Sequence, residues 1–190
     1  MIISIIGGSG SGKDTQASFI SERYNTPHIS MGEILRDGER KGDPLAVKAM
    51  EIANEGKWVP DEITSEILAA YVRVNCPEGF IITGYPRPEE QIKSFDRIAE
   101  TLNQEITAVV HIRVPEEVMM ARMRKQAEDY GEEREDTTEE AMRTRIKSYQ
   151  ETINPLIREY SDRGILIDVD GTPSIQKVKE SIFKELDALV

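Results

Sequence analysis

The sequence predicts an α/β fold: a parallel five-stranded sheet with helices on both faces. Three observations predict it. Short apolar runs alternate with longer amphipathic ones along the whole chain. The apolar runs are continuous, as in strands buried on both faces. The first of them passes directly into a glycine-rich turn that opens a helix.

Taken in order, Ile2 to Ile6 reads as the first strand, and a helix follows from Asp14 to Tyr24. His28 and Ile29 begin a second strand. Ser30 to Val59 is helical and polar between two strands, with a helix over Leu45 to Glu55, and fits the sheet poorly. Asp61 is placed to cap a helix from Glu62 to Arg73. Phe80 to Ile82 is the next strand, then a helix from Glu89 to Leu102 and a strand from Val109 to Val114. Pro115 suits the first position of a helix running to Gln126, since its missing N–H costs nothing there. Gln126 to Asp136 (QAEDYGEERED) is charged and nearly without apolar residues, which suits a solvated loop or a mobile lid. Thr137 and Glu140 form a capping box for a helix from Glu139 to Arg163, which Asn154-Pro155 should kink. A strand over Ile165 to Val169 and a helix over Ser174 to Leu189, with Pro173 at its start, complete the chain. At 190 residues this is one domain. Its core is 1–29, 60–122 and 138–190, with insertions at 30–59 and about 123–137 over a cleft.

The formal net charge is -11. That argues against a nucleic-acid partner, which calls for a basic face, and against an anionic membrane surface. It permits a nucleotide, because a few arginines converging in a cleft set the local potential. Cys76 is the only cysteine, so no intrachain disulfide or thiolate-rich metal site is expected, and it reads as a small apolar filler. MIISII is too short to span a membrane and lacks a basic start, so a cytosolic location is expected. His111, in an apolar strand, reads as a hydrogen-bonded core residue, and His28 is equally unpersuasive as a catalyst.

Gly7, Gly8, Gly10 and Gly12 alternate with Ser9 and Ser11 between strand and helix. Glycines there let backbone N–H groups point into one concavity, toward which the next helix presents its positive end. Lys13 can then reach the outer phosphates of a nucleoside triphosphate. Gly7, Gly12 and Lys13 satisfy G-x-x-x-x-G-K, but Asp14 stands where Ser or Thr is usual, with Thr15 one place later.

The stretch GGSGSGKDTQ resembles the loop of the adenylate kinase family, usually GGPGSGKGTQ. The likeness continues in order through HISMGEILR, EGKWVPDEI, GFIITGYPRPEEQ and REDTTEEAMRTRIKSY, the last resembling the short-lid form. The resemblance implies a P-loop fold with a monophosphate-binding insertion (30–59) and a short lid. It implies magnesium-dependent transfer of the ATP γ-phosphoryl group to a nucleoside monophosphate. Such chemistry needs two anions held in line and neutralised in a dry site. By the same resemblance Gly10, Ser11, Gly12, Lys13, Asp14 and Thr15 hold ATP phosphates, Arg122 stacks on the ATP base and Gly171 borders it. Arg36 and Arg87 grip the monophosphate, and Gly84 and Tyr85 lie in the motif that carries Arg87. Arg134 and Arg145 close over the transferring group, making Lys13, Arg87, Arg134 and Arg145 the catalytic set. Gln91 reads the acceptor base, and Lys57, Trp58 and Val59 line its pocket through backbone groups, near Ser30 and Met31. Taken singly, Arg122, Arg143 and Arg145 read as solvated helix residues and Trp58 as packing; joint placement in the motifs carries the assignment.

Departures from the family pattern are informative. Asp14 replaces Gly, and Thr83 replaces the Asp that orients water on magnesium. Met31 replaces the acceptor-pocket Thr. Gln126 stands at a lid-entry Arg position, with Arg124 and Lys125 nearby, and Thr137 replaces the second lid Asp. The first two suggest an exchange, with Asp14 (and Thr15) facing magnesium where Thr83 no longer does; the alternative is that Asp14 faces solvent and caps its helix. Gln91 favours AMP, because an amide both donates to and accepts from an adenine edge. A UMP/CMP kinase, a deoxynucleotide kinase, a generic small-molecule kinase and a nucleotide-binding pseudo-enzyme are the rival readings. A monomer is expected.

Overall fold

The computed structural model describes residues 1–55, 57–130 and 138–190, the last two residues before 131 as backbone only. Five strands, β1 (Ile2–Ile6), β2 (His28–Ser30), β3 (Phe80–Thr83), β4 (Ile106–Arg113) and β5 (Leu166–Asp170), form one sheet in the order β2-β3-β1-β4-β5. Every pairing is parallel. Successive strands are joined by helices α1 (Lys13–Tyr24), α2 (Met31–Arg40), α3 (Pro44–Asn54), α4 (Asp61–Asn75), α5 (Glu90–Thr101), α6 (Glu116–Tyr130) and α7 (Glu139–Asp162), and α8 (Ile175–Leu186) follows β5.

Side chains alternate across a strand, and the core divides accordingly. Ile2, Ile6, Ile82 and Val109 pack on one face with Leu68, Phe95, Leu156 and Tyr160 of α4, α5 and α7. Ile3, Ile5, Ile81 and Val110 pack on the other with Ala17 and Ile20 of α1 and Val178 and Ile182 of α8. Both faces are therefore dry, which is why the strands read as unbroken apolar runs. Leu68 and Phe95 are fully buried, and truncating either to Ala would cost about 2–5 kcal/mol. Cys76 is buried as a filler.

Helix ends differ from expectation where a neighbour supplies a better partner. Asp61 is the first residue of α4, after Pro60. Its carboxylate instead accepts from Ser94 Oγ at 2.5 Å and Tyr85 Oη at 3.4 Å, tying α4 to α5 and to the segment after β3. Pro115 and Pro173 precede α6 and α8 rather than beginning them, and Ser174 caps α8 by accepting from the Lys177 amide. Thr138 caps α7 through the Ala141 amide at 3.2 Å; Thr137, expected in that role, lies outside the described residues. Asp43 caps α3 from in front of Pro44. α7 continues through Pro155. α6 runs on to Tyr130, through residues expected to be loop, because Ala127 packs on a cluster of Met119, Met120, Met123, Met142 and Ile146.

Strand order makes β1 and β4 neighbours whose onward connections run to opposite edges, β1's to β2 and β4's to β5. A ligand crevice belongs at the carboxyl ends of such a pair. Register completes the placement: Thr83 lies opposite Ile5 on one side and Ser30 on the other, and His111 lies opposite Ile6.

Candidate active site

At the carboxyl end of β1 the chain turns through glycines with φ of +79° at Gly10 and +90° at Gly12, the residue that precedes α1. L side chains avoid this region. At Gly10 a Cβ would also stand 2.8 Å from the Met119 carbonyl oxygen. The turn closes with the Ser11 amide donating to the Gly8 carbonyl at 3.1 Å.

Beside the turn lies a cleft of about 360 Å³. Among the described residues its walls carry five cations (Lys13, Arg36, Lys57, Arg87 and Arg145) and two carboxylates (Asp14 and Glu33). In a chain of net charge -11 that local excess of positive charge marks an anion site. Burial lowers the Lys13 ammonium from its ordinary range, against Asp14, with Arg87 and Arg145 adding to the fall. Burial and then Arg145 push the Arg87 guanidinium down to about 10. An arriving polyanion relieves both costs.

Arg87 is held at several points. Its Nε donates to the Gly84 carbonyl at 2.9 Å, and its backbone amide donates to Gln91 Oε1 at 2.8 Å. Gln91 Nε2 donates to Thr64 Oγ1 at 3.0 Å. The Gln91 carboxamide, although buried, thus keeps one N–H and one lone pair for a ligand edge. Ser30, Met31, Trp58, Val59, Gly84 and Tyr85 line the same cleft. The sequence reading missed an apolar wall of Leu35, Met50 and Ala53, together with Thr64. Its signal lay in apolar positions of α2 and α3 that the polar character of 30–59 obscured.

Asp14 neither caps α1 nor stands free. Thr83 Oγ1 donates to Asp14 Oδ1 at 2.6 Å, and Lys13 Nζ lies 3.9 Å from its other oxygen. Because the Thr83 proton goes to the carboxylate, His28 Nε2, at 3.3 Å, is the donor to Thr83 Oγ1. Burial pushes the Asp14 carboxyl up, but Lys13, the Thr83 hydroxyl and His28 more than offset it, leaving it below the usual carboxylate range. The carboxylate that the family pattern puts on β3 is thus met, hydrogen-bond close, from α1.

Ser11, Thr15, Arg122 and Gly171 do not line the cleft; they belong to the loop, the helix it opens and the segments packed around them. Arg122 donates to the Gly10, Ser11 and Gly171 carbonyls at 3.3, 3.4 and 3.1 Å. It ties the loop to the segment after β5, with its donors used at their edges. A Cβ at Gly171 would lie 2.5 Å from Ile112 Cγ2, so only glycine fits there. Thr15 is exposed on α1, and Ser11 is buried with its Oγ lacking a partner among the described residues. Arg134 lies outside the described residues. Gln126 lines the cleft, whereas Arg124 pairs with Glu139 at 2.7 Å and Arg143 with the same carboxylate at 2.9 Å, both at the surface.

His111 is buried beneath this assembly. Nδ1 donates to Asp168 at 3.0 Å, so Nε2 accepts from Tyr149 Oη at 2.8 Å. Tyr149 in turn packs under Gly8, where a Cβ would stand 3.3 Å from Cδ1.

A parallel sheet with a lysine-bearing glycine turn after β1, and a cation-rich cleft beside it, defines a phosphate-binding-loop protein of the nucleotide-kinase class. Comparisons with known proteins narrow this. The family model described as Adenylate kinase matches residues 5–165. An adenylate kinase of Archaeoglobus fulgidus is 34% identical over 216 aligned positions, covering 100% of this chain and 98% of that protein. One of Leptospira biflexa is 35% identical, covering 95% and 97%, and one of Bifidobacterium longum is 33% identical, covering 98% and 100%. The chain belongs to the adenylate kinase family.

Proposed function

We propose that this protein is an enzyme that transfers the γ-phosphoryl group of ATP reversibly to AMP, giving two ADP. The observation that carries the reading is the gathering of Lys13, Arg87 and Arg145 on one cleft at the carboxyl end of β1. In the transfer an oxygen of the AMP phosphate bonds to the γ-phosphorus as the bond from that phosphorus to the ADP oxygen breaks. The leaving oxygen keeps the electron pair. The turn from Gly10 to Thr15 binds the donor's phosphates through backbone N–H groups, and Lys13 neutralises charge on the outer ones. Arg36 and Arg87 orient the acceptor phosphate, and Arg145, with Arg134, holds the group in transit. Arg122 and Gly171 border the donor base; Gln91 reads the acceptor base, with Lys57, Trp58, Val59, Ser30 and Met31 around it. We read 30–59 as the acceptor-binding insertion and about 123–137 as a short lid that excludes water on closing.

Magnesium fits the residues present: an ionised carboxylate flanked by hydroxyls is a hard-oxygen donor set of the kind that ion shares with substrate phosphates. Asp14, with Thr15, would hold it through water, in place of the acid that Thr83 lacks. When bound, the ion spreads the charge developing on the phosphates. A monomeric, cytosolic enzyme suits the acidic composition and single cysteine. Among the described residues no helix is long and apolar enough to cross a membrane.

The test is the initial rate with Mg·ATP against AMP, dAMP, CMP, UMP and GMP. AMP should lead. A lead for CMP or UMP would mean that Met31 had reset the pocket, and ATP binding without turnover on any acceptor would make this a pseudo-enzyme.

A further inference from the structure

We propose that the Trp58 side chain is the positioning residue for Arg87, its indole face holding the guanidinium aimed into the cleft for the acceptor phosphate. The inference rests on the reading of Arg87 as the acceptor's phosphate ligand.

The Arg87 guanidinium carbon lies 4.6 Å from the centre of the Trp58 ring. That is well inside the range in which the negative face of an indole attracts a cation, and the attraction grows as water is removed. Arg87 needs such support. It is half-buried and desolvated, and Arg145 repels it. Its Nε is tied to Gly84, which fixes one edge of the plane and leaves rotation about that edge open. A flat aromatic surface against one face restricts that rotation without using a single N–H, so the remaining donors stay free for an anion. A carboxylate partner would fix the plane as well but would compete for those same donors.

Trp58 is itself well braced. It follows α3 and precedes the buried Val59. It also borders, with Pro86, Arg145 and Tyr149, a small interior cavity of about 20 Å³. Its Nε1 is buried without a partner among the described residues. An indole N–H left unpaired carries a desolvation cost that a phenyl ring would not. The contact that remains to explain a tryptophan here is its face.

The experiment is calorimetric titration of AMP, and separately of ATP, into the wild type and the variants Trp58→Leu, Trp58→Phe and Arg87→Lys. Trp58→Leu should weaken AMP by about 5- to 30-fold, the effect expected when a desolvated cation loses its aromatic partner. Trp58→Phe, which keeps a π face, should stay within about threefold of wild type. ATP affinity should hold in both. In the Trp58→Leu/Arg87→Lys double variant the losses should be less than additive, because both remove one interaction. AMP binding by Trp58→Leu at wild-type strength would overturn the proposal. So would equal losses with Leu and Phe, or a parallel loss of ATP, which would signal damage to the fold. If Arg87→Lys leaves AMP affinity unchanged, the acceptor-site reading itself fails. If Arg87→Lys weakens AMP while Trp58→Leu does not, only the positioning role fails. Trp58 is the sole tryptophan, so its emission should also shift on AMP addition in the wild type.

Discussion

The two halves of the cleft hold charge by different means. On the phosphate-loop side the ligand groups are mostly backbone: a glycine turn, the start of α1, and one lysine. On the side proposed for the acceptor they are side chains, each braced by others: Arg87 by Gly84, Gln91 and Trp58, and Gln91 by Thr64. The difference teaches where substitution is tolerated. A backbone site keeps its donors when a neighbouring side chain changes, so an acid at Asp14 can enter the loop once Thr83 and Lys13 meet it. A side-chain site depends on its supports.

The largest effect should come from removing the one side chain that the loop side depends on. Lys13→Met should lower the turnover number by about 10²–10³-fold, as when a single charge-stabilising donor is lost. AMP affinity should persist, measured by calorimetry. The melting temperature should hold or rise, because the lysine is buried against two arginines. A drop in AMP affinity matching the loss of rate would erase the distinction between the halves.

Next is Gln91→Leu on the acceptor side. It strands the part-buried Arg87 amide and takes one donor from the Thr64 hydroxyl, which keeps its bond to the Pro60 carbonyl, at about 1–3 kcal/mol of stability. Denaturant unfolding would read the loss, and the KM for AMP should rise while that for ATP stays. An unchanged unfolding midpoint would show that the acceptor side needs no such bracing.

Asp14→Gly should raise the magnesium concentration giving half-maximal rate, by roughly tenfold, the scale on which metal-site neighbours act. Adding Thr83→Asp to it should reverse the rise by restoring an acid on the other strand. Identical magnesium curves for wild type and Asp14→Gly would sink the exchange.

The smallest effect concerns the support beneath both halves. Burial holds the His111 imidazole below its ordinary 6.5, despite Asp168. The unfolded chain therefore takes up this proton first as pH falls. The stability contributed by neutral His111 is complete above about pH 6.5 and is lost as pH drops from there toward the folded value. Arg113, which pairs with Asp168 at 2.9 Å, also faces this group, and the Tyr149 hydroxyl, pushed up to about 12 by burial, stays protonated throughout. An NMR titration of the His111 ring should give a midpoint under 6.5; one at or above it would refute the assignment of a neutral, Tyr149-accepting imidazole.

Much of this molecule was legible as sequence. Five strands and their intervening helices follow from apolar period, and the phosphate loop follows from glycine spacing before a lysine. The arginines of the cleft followed from motif order. The strand, helix and loop signals are local: each is set by backbone sterics and burial within one element, so neighbouring residues suffice to reveal it, whereas the arginines were picked out by resemblance to a family's motifs and not by their own surroundings. Helix caps were legible only to within a residue or two, since Asp61 found better partners in Ser94 and Tyr85 than in its own helix. Tertiary structure alone decided the pairs that join distant parts of the chain. Parallel register set Thr83 beside Ile5, so that a hydroxyl on β3 meets an acid 69 residues earlier. Chain return past α3 laid Trp58 on Arg87, and the end of β5 brought Gly171 to Arg122. Such contacts depend on which distant elements become neighbours, and that is settled only when the two faces of the sheet are buried together.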